Sequence, residues 1–216
     1  MTRPIAVLTG DVIQSRKIRD STRLFAVLDA ILEGLADRYG GQGERYRGDG
    51  FQLAVPQPAQ GLHAAIMLRA ALIQHSDETQ RWDARVAIAV GRSQWSGKQP
   101  VSEAHDDPFI RSGQTLDGMN AHLALSLPTG RDDACLALLT RFADDMIDDW
   151  SAHSAETVLL TLQHQESQQA LAERIGISQP GVHKRLRRAR WPLLSDYLAF
   201  MEQRLALDIV TEDDEP

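Results

Sequence analysis

The sequence predicts an α+β protein: an antiparallel sheet with helices on one face, followed by a small all-α unit. Three observations carry that expectation. Short runs near Ile5–Leu8, Phe51–Val55 and Val86–Val90 are apolar or alternate with period two, as strands do. Between them, residues 24–35 and 62–73 place apolar side chains three and four apart, as helices do. From Gln168 onward only helical spacing remains, and basic residues gather there.

Taken in order, Ile5–Leu8 reads as a buried strand that ends in a loop, Gly10 to Arg16. Asp20 or Ser21 can cap the next helix, along which Leu24, Leu28, Ile31, Leu32 and Leu35 recur until Gly40-Gly41 stops it. Two extended runs, 44–47 and 51–55, flank Gly48-Asp49-Gly50, a strong hairpin signal because glycine accepts positive φ at little cost. Pro58 opens a second helix with Leu62, Ala65, Ile66, Arg69, Leu72 and Ile73 on one stripe, and a strand with Val86, Ile88 and Val90 follows. Strand, helix, strand, strand, helix, strand is the ferredoxin-like order. The run from Arg92 to Arg111 reads as a long polar loop, residues 114–127 as a helix and 135–140 as a further strand. Arg141 to Trp150 reads as an acidic connecting helix. Domains are expected at 1–150 and 151–207, with an acidic, disordered tail over 208–216.

Composition narrows the class. The chain has 216 residues, 43% hydrophobic and 25% charged, which is enough apolar material for a real core in a soluble domain or two. No stretch approaches the roughly 20 apolar residues of a membrane span, and no secretory signal is visible, so no membrane partner is expected. A single cysteine, Cys135, excludes an internal disulfide, and the reading is cytoplasmic. The net charge of −7 argues against nonspecific coating of nucleic acid. Between Gln163 and Ser195, however, Arg174, Lys184, Arg185, Arg187, Arg188 and Arg190 face only Glu166 and Glu173, which suggests a basic module on an acidic body.

Two carboxylates carry the chemistry. Asp11 follows the first strand and Asp49 sits at the hairpin tip, and in the ferredoxin-like order those two points are neighbours. Paired carboxylates repel unless a cation lies between them, and a hard divalent ion with oxygen ligands, shared with substrate phosphates, resolves this. The seven histidines form no zinc pattern, and no phosphate-binding glycine loop or nucleophile elbow is present.

Asp11-Val12-Ile13 after a strand, followed by Arg45-x-x-Gly48-Asp49-Gly50-Phe51, resembles the class III nucleotidyl cyclase domain. Over residues 4–195 the chain resembles the SatD family more closely, through Gly10 to Arg16, Gly48 to Gln52 and the C-terminal helices. The resemblance implies that Asp11 and Asp49, with the Val12 carbonyl, hold Mg²⁺ or Mn²⁺ and that a purine nucleotide binds there. It implies base reading by Arg45 and Asp117 and a catalytic role for Asn120. The chain departs from the pattern at Ala124, where cyclases carry an arginine four residues after that asparagine, and Arg111 or Arg131 would have to substitute.

Residues 168–187 resemble a helix-turn-helix. Ala172 is small where two helices would cross, Gly176 supplies a left-handed stop, and Leu171, Ile175, Ile177, Val182 and Leu186 form a shared core. Ser178 caps the second helix and Pro180 fits its first turn. Gln179, His183, Lys184 and Arg187 then lie outward, where they can read base edges, while Arg185, Arg188 and Arg190 face phosphates. Trp191, Leu193, Leu194, Tyr197, Leu198, Met201 and Leu205 mark a closing helix that packs on the module or on a second protomer. The expectation is a homodimeric, duplex-DNA-binding transcriptional regulator that responds to a nucleotide. The alternatives are an active nucleotidyl cyclase with a DNA-targeting module, and an adaptor in which both sites are degenerate.

Overall fold

A computed structural model describes residues 2–46, 48–128 and 134–213. The elements are β1 (Arg3–Val12), α1 (Ser21–Tyr39), β2 (Gln42–Tyr46), β3 (Gly50–Val55), α2 (Gly61–Ile73), β4 (Ala84–Ser93), α3 (Asp107–Gly118), β5 (Leu123–Ser126), α4 (Ala134–Asp148), α5 (Ala152–His164), α6 (Gln168–Ile175), α7 (Gln179–Arg188) and α8 (Trp191–Asp213). The sheet order is β2-β3-β1-β4-β5. Its first four strands are antiparallel to their neighbours, and β5 runs parallel to β4. The ferredoxin-like order is therefore present, with one strand added beside β4.

Local chemistry explains the boundaries. The Asp20 carboxylate accepts from the Arg23 N–H at 2.9 Å and so caps α1. At the other end Gly40 adopts φ 64°, the left-handed conformation that ends a helix. Pleat alternation then divides the sheet. Leu8, Phe51, Leu53, Val86 and Ile88 face α1 and α2, while Ile5, Val7 and Ala54 meet Trp95, Val101 and Phe109 on the other side.

Several expectations are corrected. Helices lie on both faces of the sheet, because α3 packs over β1 and β4 opposite α1 and α2. The long polar segment therefore ends at Asp107, where Pro108 sits in the first turn of α3 and Phe109 is buried. The helix expected over 114–127 stops at Gly118, and residues 123–126 pair with β4 instead. The strand expected over 135–140 is helical. Leu136, Thr140, Ala143 and Ile147 are buried at helical spacing, and so short an apolar run does not distinguish the two states on its own. Asp11 lies within β1 rather than in a loop. The helix α8 continues to Asp213 where a disordered tail was expected, and residues 214–216 lie outside the described residues.

In the C-terminal unit α5, α6 and α7 pack together over buried Leu171, Ala172, Val182 and Leu186. The helix α5 packs on α2, α8 packs on α4 and on the Pro58–Gln60 turn, and one apolar core runs through all of them. Along α8, Leu194, Tyr197, Leu198, Met201 and Leu205 are buried against this body, whereas Leu193 is 63% exposed. Among the described residues no helix is long and apolar enough to cross a membrane.

Candidate functional site

The pleat brings the first candidate residues together. Asp11 pairs with Gly50 of β3 on one side and with Arg85 of β4 on the other. Asp49 immediately precedes Gly50, so the register sets the hairpin tip beside Asp11, as the sequence implied. Val12 ends the strand, with its side chain in the core. Close approach here requires glycine: a Cβ on Gly10 would lie 2.3 Å from the Phe51 ring and 2.4 Å from the Arg85 carbonyl oxygen.

Arg85 was not recognised as a site residue from the sequence. Its Nε donates to Asp11 Oδ1 at 3.0 Å and its Nη2 to Oδ2 at 2.5 Å. The hydrogen bond to Asp11 is the main cause that raises the Arg85 pKa; burial opposes it, and the charges of Asp11, Asp117 and Asp49 add to it. Three carboxylates from β1, the hairpin and α3 thus act on one guanidinium. The available signal was a cation in an inward-alternating strand, two residues after Asp83, where the neighbouring positions are apolar.

Other expected residues are placed differently. Arg45 pairs with Phe51 and so lies on the helix-facing side, away from the Asp11 carboxylate. Its Nε and Nη2 donate to Asp29 at 2.8 and 2.9 Å, its Nη1 donates to the Gly48 carbonyl at 2.9 Å, and it stacks over Phe25. It clamps the hairpin tip to α1. Asp117 lies exposed in the last turn of α3, where its charge acts on Arg85, while Asn120 lies exposed beyond the helix end. Because α3 stops, the four-residue helical spacing from Asn120 to Ala124 does not exist, and Ala124 instead pairs with Ala87 in the sheet. Arg111 donates to the carbonyls of Ser126 at 2.8 Å and Val90 at 2.6 Å and to Asp107 at 2.7 Å, which pins α3 further along β4. Arg131 lies outside the described residues.

Asp11, Asp49 and Asp117 are hard oxygen donors of the kind Mg²⁺ and Mn²⁺ take. Both Asp11 oxygens face Arg85, so an arriving cation must share or displace the guanidinium. A second group of donors, Asp83, His122 and Asp148, has ligand atoms within 4.8 Å of one another. Its carboxylates already hold a cation: Arg69 Nη2 donates to Asp83 at 2.8 Å and to Asp148 at 2.7 Å, and Nη1 donates to Asp144 at 2.6 Å. Burial opposes the Arg69 charge, but Asp83 and Asp144 outweigh it and raise its pKa.

The second candidate region is α7. Ser178 accepts from the Gly181 N–H at 3.3 Å, and Gly176 adopts φ 77°, as a cap and a left-handed stop should. Gln179, His183, Lys184, Arg187 and Arg188 are exposed on this helix. Among the described residues, Lys184, Arg187 and Arg188 make no ion pair. Two residues expected to face phosphates have carboxylate neighbours in the structure. Arg185 turns inward and donates to Glu156 of α5 at 2.9 Å, because its place in the helix faces the bundle. Arg190 adopts φ 54° between α7 and α8 and lies 3.4 Å from Asp149 and 4.0 Å from Asp145. Acidic α4 therefore already faces that side chain.

No protein-family profile and no curated protein matches the chain. Solved structures do resemble it. The guanylyl cyclase Cya2 is 15% identical with a TM-score of 0.42, covering 54% of this chain and 71% of its own. An adenylate/guanylate cyclase/hydrolase from Silicibacter pomeroyi is 17% identical with a TM-score of 0.46, covering 58% and 76%. The active GGEEF domain of a diguanylate cyclase from Vibrio cholerae is 12% identical with a TM-score of 0.42, covering 58% and 83%.

Proposed function

We propose that this end of the sheet binds a purine nucleoside triphosphate with Mg²⁺ or Mn²⁺, and that α7 docks the protein on duplex DNA. The chain would then act as a nucleotide-responsive transcriptional regulator. The observation that carries the nucleotide half is the Asp11–Arg85 pair at a strand end, in register with the hairpin that carries Asp49. A carboxylate and a guanidinium so placed form a site whose charge balance changes when a metal–phosphate group arrives. The ion would be held by Asp11 and Asp49 with the Val12 carbonyl, and would neutralise phosphate charge. Arg85, released from Asp11, is then the cation on the same face positioned to meet phosphate oxygens.

The exposed cations of α7 support the DNA half. Helix-turn-helix dimers address half-sites about 34 Å apart, and a homodimer of this chain would present two such helices. The unit also abuts the nucleotide-binding body, since α5 packs on α2 and α2 packs on the sheet.

Calorimetric titration with ATP and GTP, with and without Mg²⁺, tests the reading. Binding should require the metal and should be lost in Asp49→Asn with the circular dichroism spectrum unchanged. Equal affinity in excess chelator would refute it.

A further inference from the structure

Beside the carboxylates, on the same face of the sheet, lies a cleft of 350 Å³. Tyr46 and Phe109 contribute aromatic surface to it, and Ser102, His105 and Gln52 contribute polar groups. Gln52 and Gly50 lie on one face of β3, two residues apart, so the cleft and Asp11 are separated by about 7 Å of strand. That distance suits a ligand with an anionic end at the carboxylates and a flat ring in the cleft. The volume falls within the usual range for small-molecule sites, roughly 300–1,000 Å³.

The hydrogen bonds behind the cleft have a fixed direction. Ser112 Oγ lies 3.0 Å from the Phe109 carbonyl, which can only accept, so Ser112 donates there. Ser112 must then accept from Thr9 Oγ1, 2.6 Å away. With its only hydrogen spent, Thr9 must accept in turn, and the Gln52 atom 3.0 Å from it is the amide nitrogen. The amide orientation is therefore dictated by the chain of hydroxyls. Thr9 is 3% exposed, Ser112 0% and Gln52 9%, so solvent does not scramble the order. Gln52 Oε1 is left over: among the described residues it has no hydrogen-bond partner, and Gln52 forms part of the cleft wall. The cleft thus holds a pre-oriented acceptor in a wall that also includes Tyr46 and Phe109.

We infer that this cleft is a purine subsite, in which Gln52 Oε1 accepts a hydrogen bond from an N–H on the edge of the base. The inference rests on the nucleotide reading above and names the part of the ligand that the carboxylates do not touch. Aromatic rings favour a flat heterocycle through stacking. A ring stacked in the cleft would cover this acceptor, and a ring without a donor would then leave the carbonyl unsatisfied. Specificity of this kind rejects an analogue that lacks the donor more strongly than it rejects one of different size.

The test compares ATP with the triphosphate of 6-unsubstituted purine riboside, which keeps the ring and loses the edge donor. Inorganic tripolyphosphate with Mg²⁺ is the third probe, because it lacks a base and reports the carboxylate end alone. With the full-length protein, ATP should bind about ten- to a hundredfold more tightly than the unsubstituted analogue. In Gln52→Leu that ratio should fall close to one while tripolyphosphate still binds. Equal affinities for ATP and its analogue in the native protein would overturn the subsite, as would an undiminished preference in Gln52→Leu. Tripolyphosphate binding without any base preference would remove the subsite and leave the metal–phosphate reading standing. If tripolyphosphate also fails to bind with Mg²⁺, the nucleotide reading falls, and the subsite with it.

Discussion

Replacing Arg69 with methionine should cost the protein a large part of its stability. The Arg69 side chain is wholly buried, at 0% exposure, and is held by three carboxylates. Asp83 is 1% exposed and Asp144 6%, so neither can turn to water when the guanidinium goes. Asp83 would keep the Ala84 N–H at 2.8 Å and Arg81 at 3.0 Å. Asp144 would keep, among the described residues, the His122 N–H at 2.9 Å. Breaking a buried ion pair by removing one partner costs about 3–5 kcal/mol, against a typical total of about 5–15 kcal/mol. For a chain of this size each kcal/mol moves the midpoint by roughly 2–4 °C, so Tm should drop by about 6–20 °C. Urea unfolding should show a lower midpoint with an unchanged slope. Arg69→Met combined with Asp144→Leu should recover part of the loss, because it removes the stranded charge. Arg69→Met within about 1 kcal/mol of the native protein, or a double variant no better than the single one, would refute this account.

Other expectations follow from the same geometry. Arg187→Ala should relax base preference at one position by about 1–3 kcal/mol, whereas Arg188→Ala should weaken all sequences alike and reduce the salt slope by about one; a genomic selection that enriches no motif would show that α7 does not read sequence. Acid should destabilise the fold through Asp148. Burial pushes its carboxyl pKa up, but hydrogen bonds from His122 and Arg69 win and hold it below the usual 3.8. A depressed folded-state value means that the stabilisation is complete above about pH 4 and is lost as pH falls through the folded pKa. Asp148→Asn should flatten that part of the stability profile, and an unchanged acid limb would contradict the assignment. Incubation with ATP or GTP in Mg²⁺ or Mn²⁺ should give little or no cyclic product, because Ala124 carries no donor and Arg111 is engaged by Val90, Ser126 and Asp107. Robust turnover that disappears in Asp11→Ala would make the protein an enzyme first.

The parts of the fold legible in the sequence were those where one local signal sufficed. The Gly48-Asp49-Gly50 corner, the Asp20 cap and the Gly40 and Gly176 stops each depend on one or two backbone conformations, and each stands where it was read. The segment from Gln114 to Thr140 depends on tertiary partners instead. Leu123-Ala124-Leu125-Ser126 becomes a strand because the edge of β4 is available to pair with it. Leu136 to Thr140 becomes helical because its buried stripe continues through Ala143 and Ile147. Short apolar runs fit either period, and only the neighbouring element decides.

The site was half legible for a related reason. Asp11 and Asp49 announce themselves as carboxylates at a strand end and a turn, and the strand register unites them. The arginines do not. Arg69 was read as one more position on a helical stripe, and Arg85 as the polar partner in an alternating strand, yet each proves to be the centre of a set of carboxylates. Conversely Arg45 and Arg185, expected at the nucleotide and at the DNA, pair with Asp29 and Glu156. An arginine's role is set by which carboxylates the fold brings to it, and those partners lie 14 to 79 positions away in the sequence. The same long-range pairing gives the two arginine centres one frame. Asp83 holds Arg69 on the α2 side and directly precedes the strand that carries Arg85. The helix α2, which carries Arg69, thus packs both on β4, which carries Arg85, and on α5, which packs on α7.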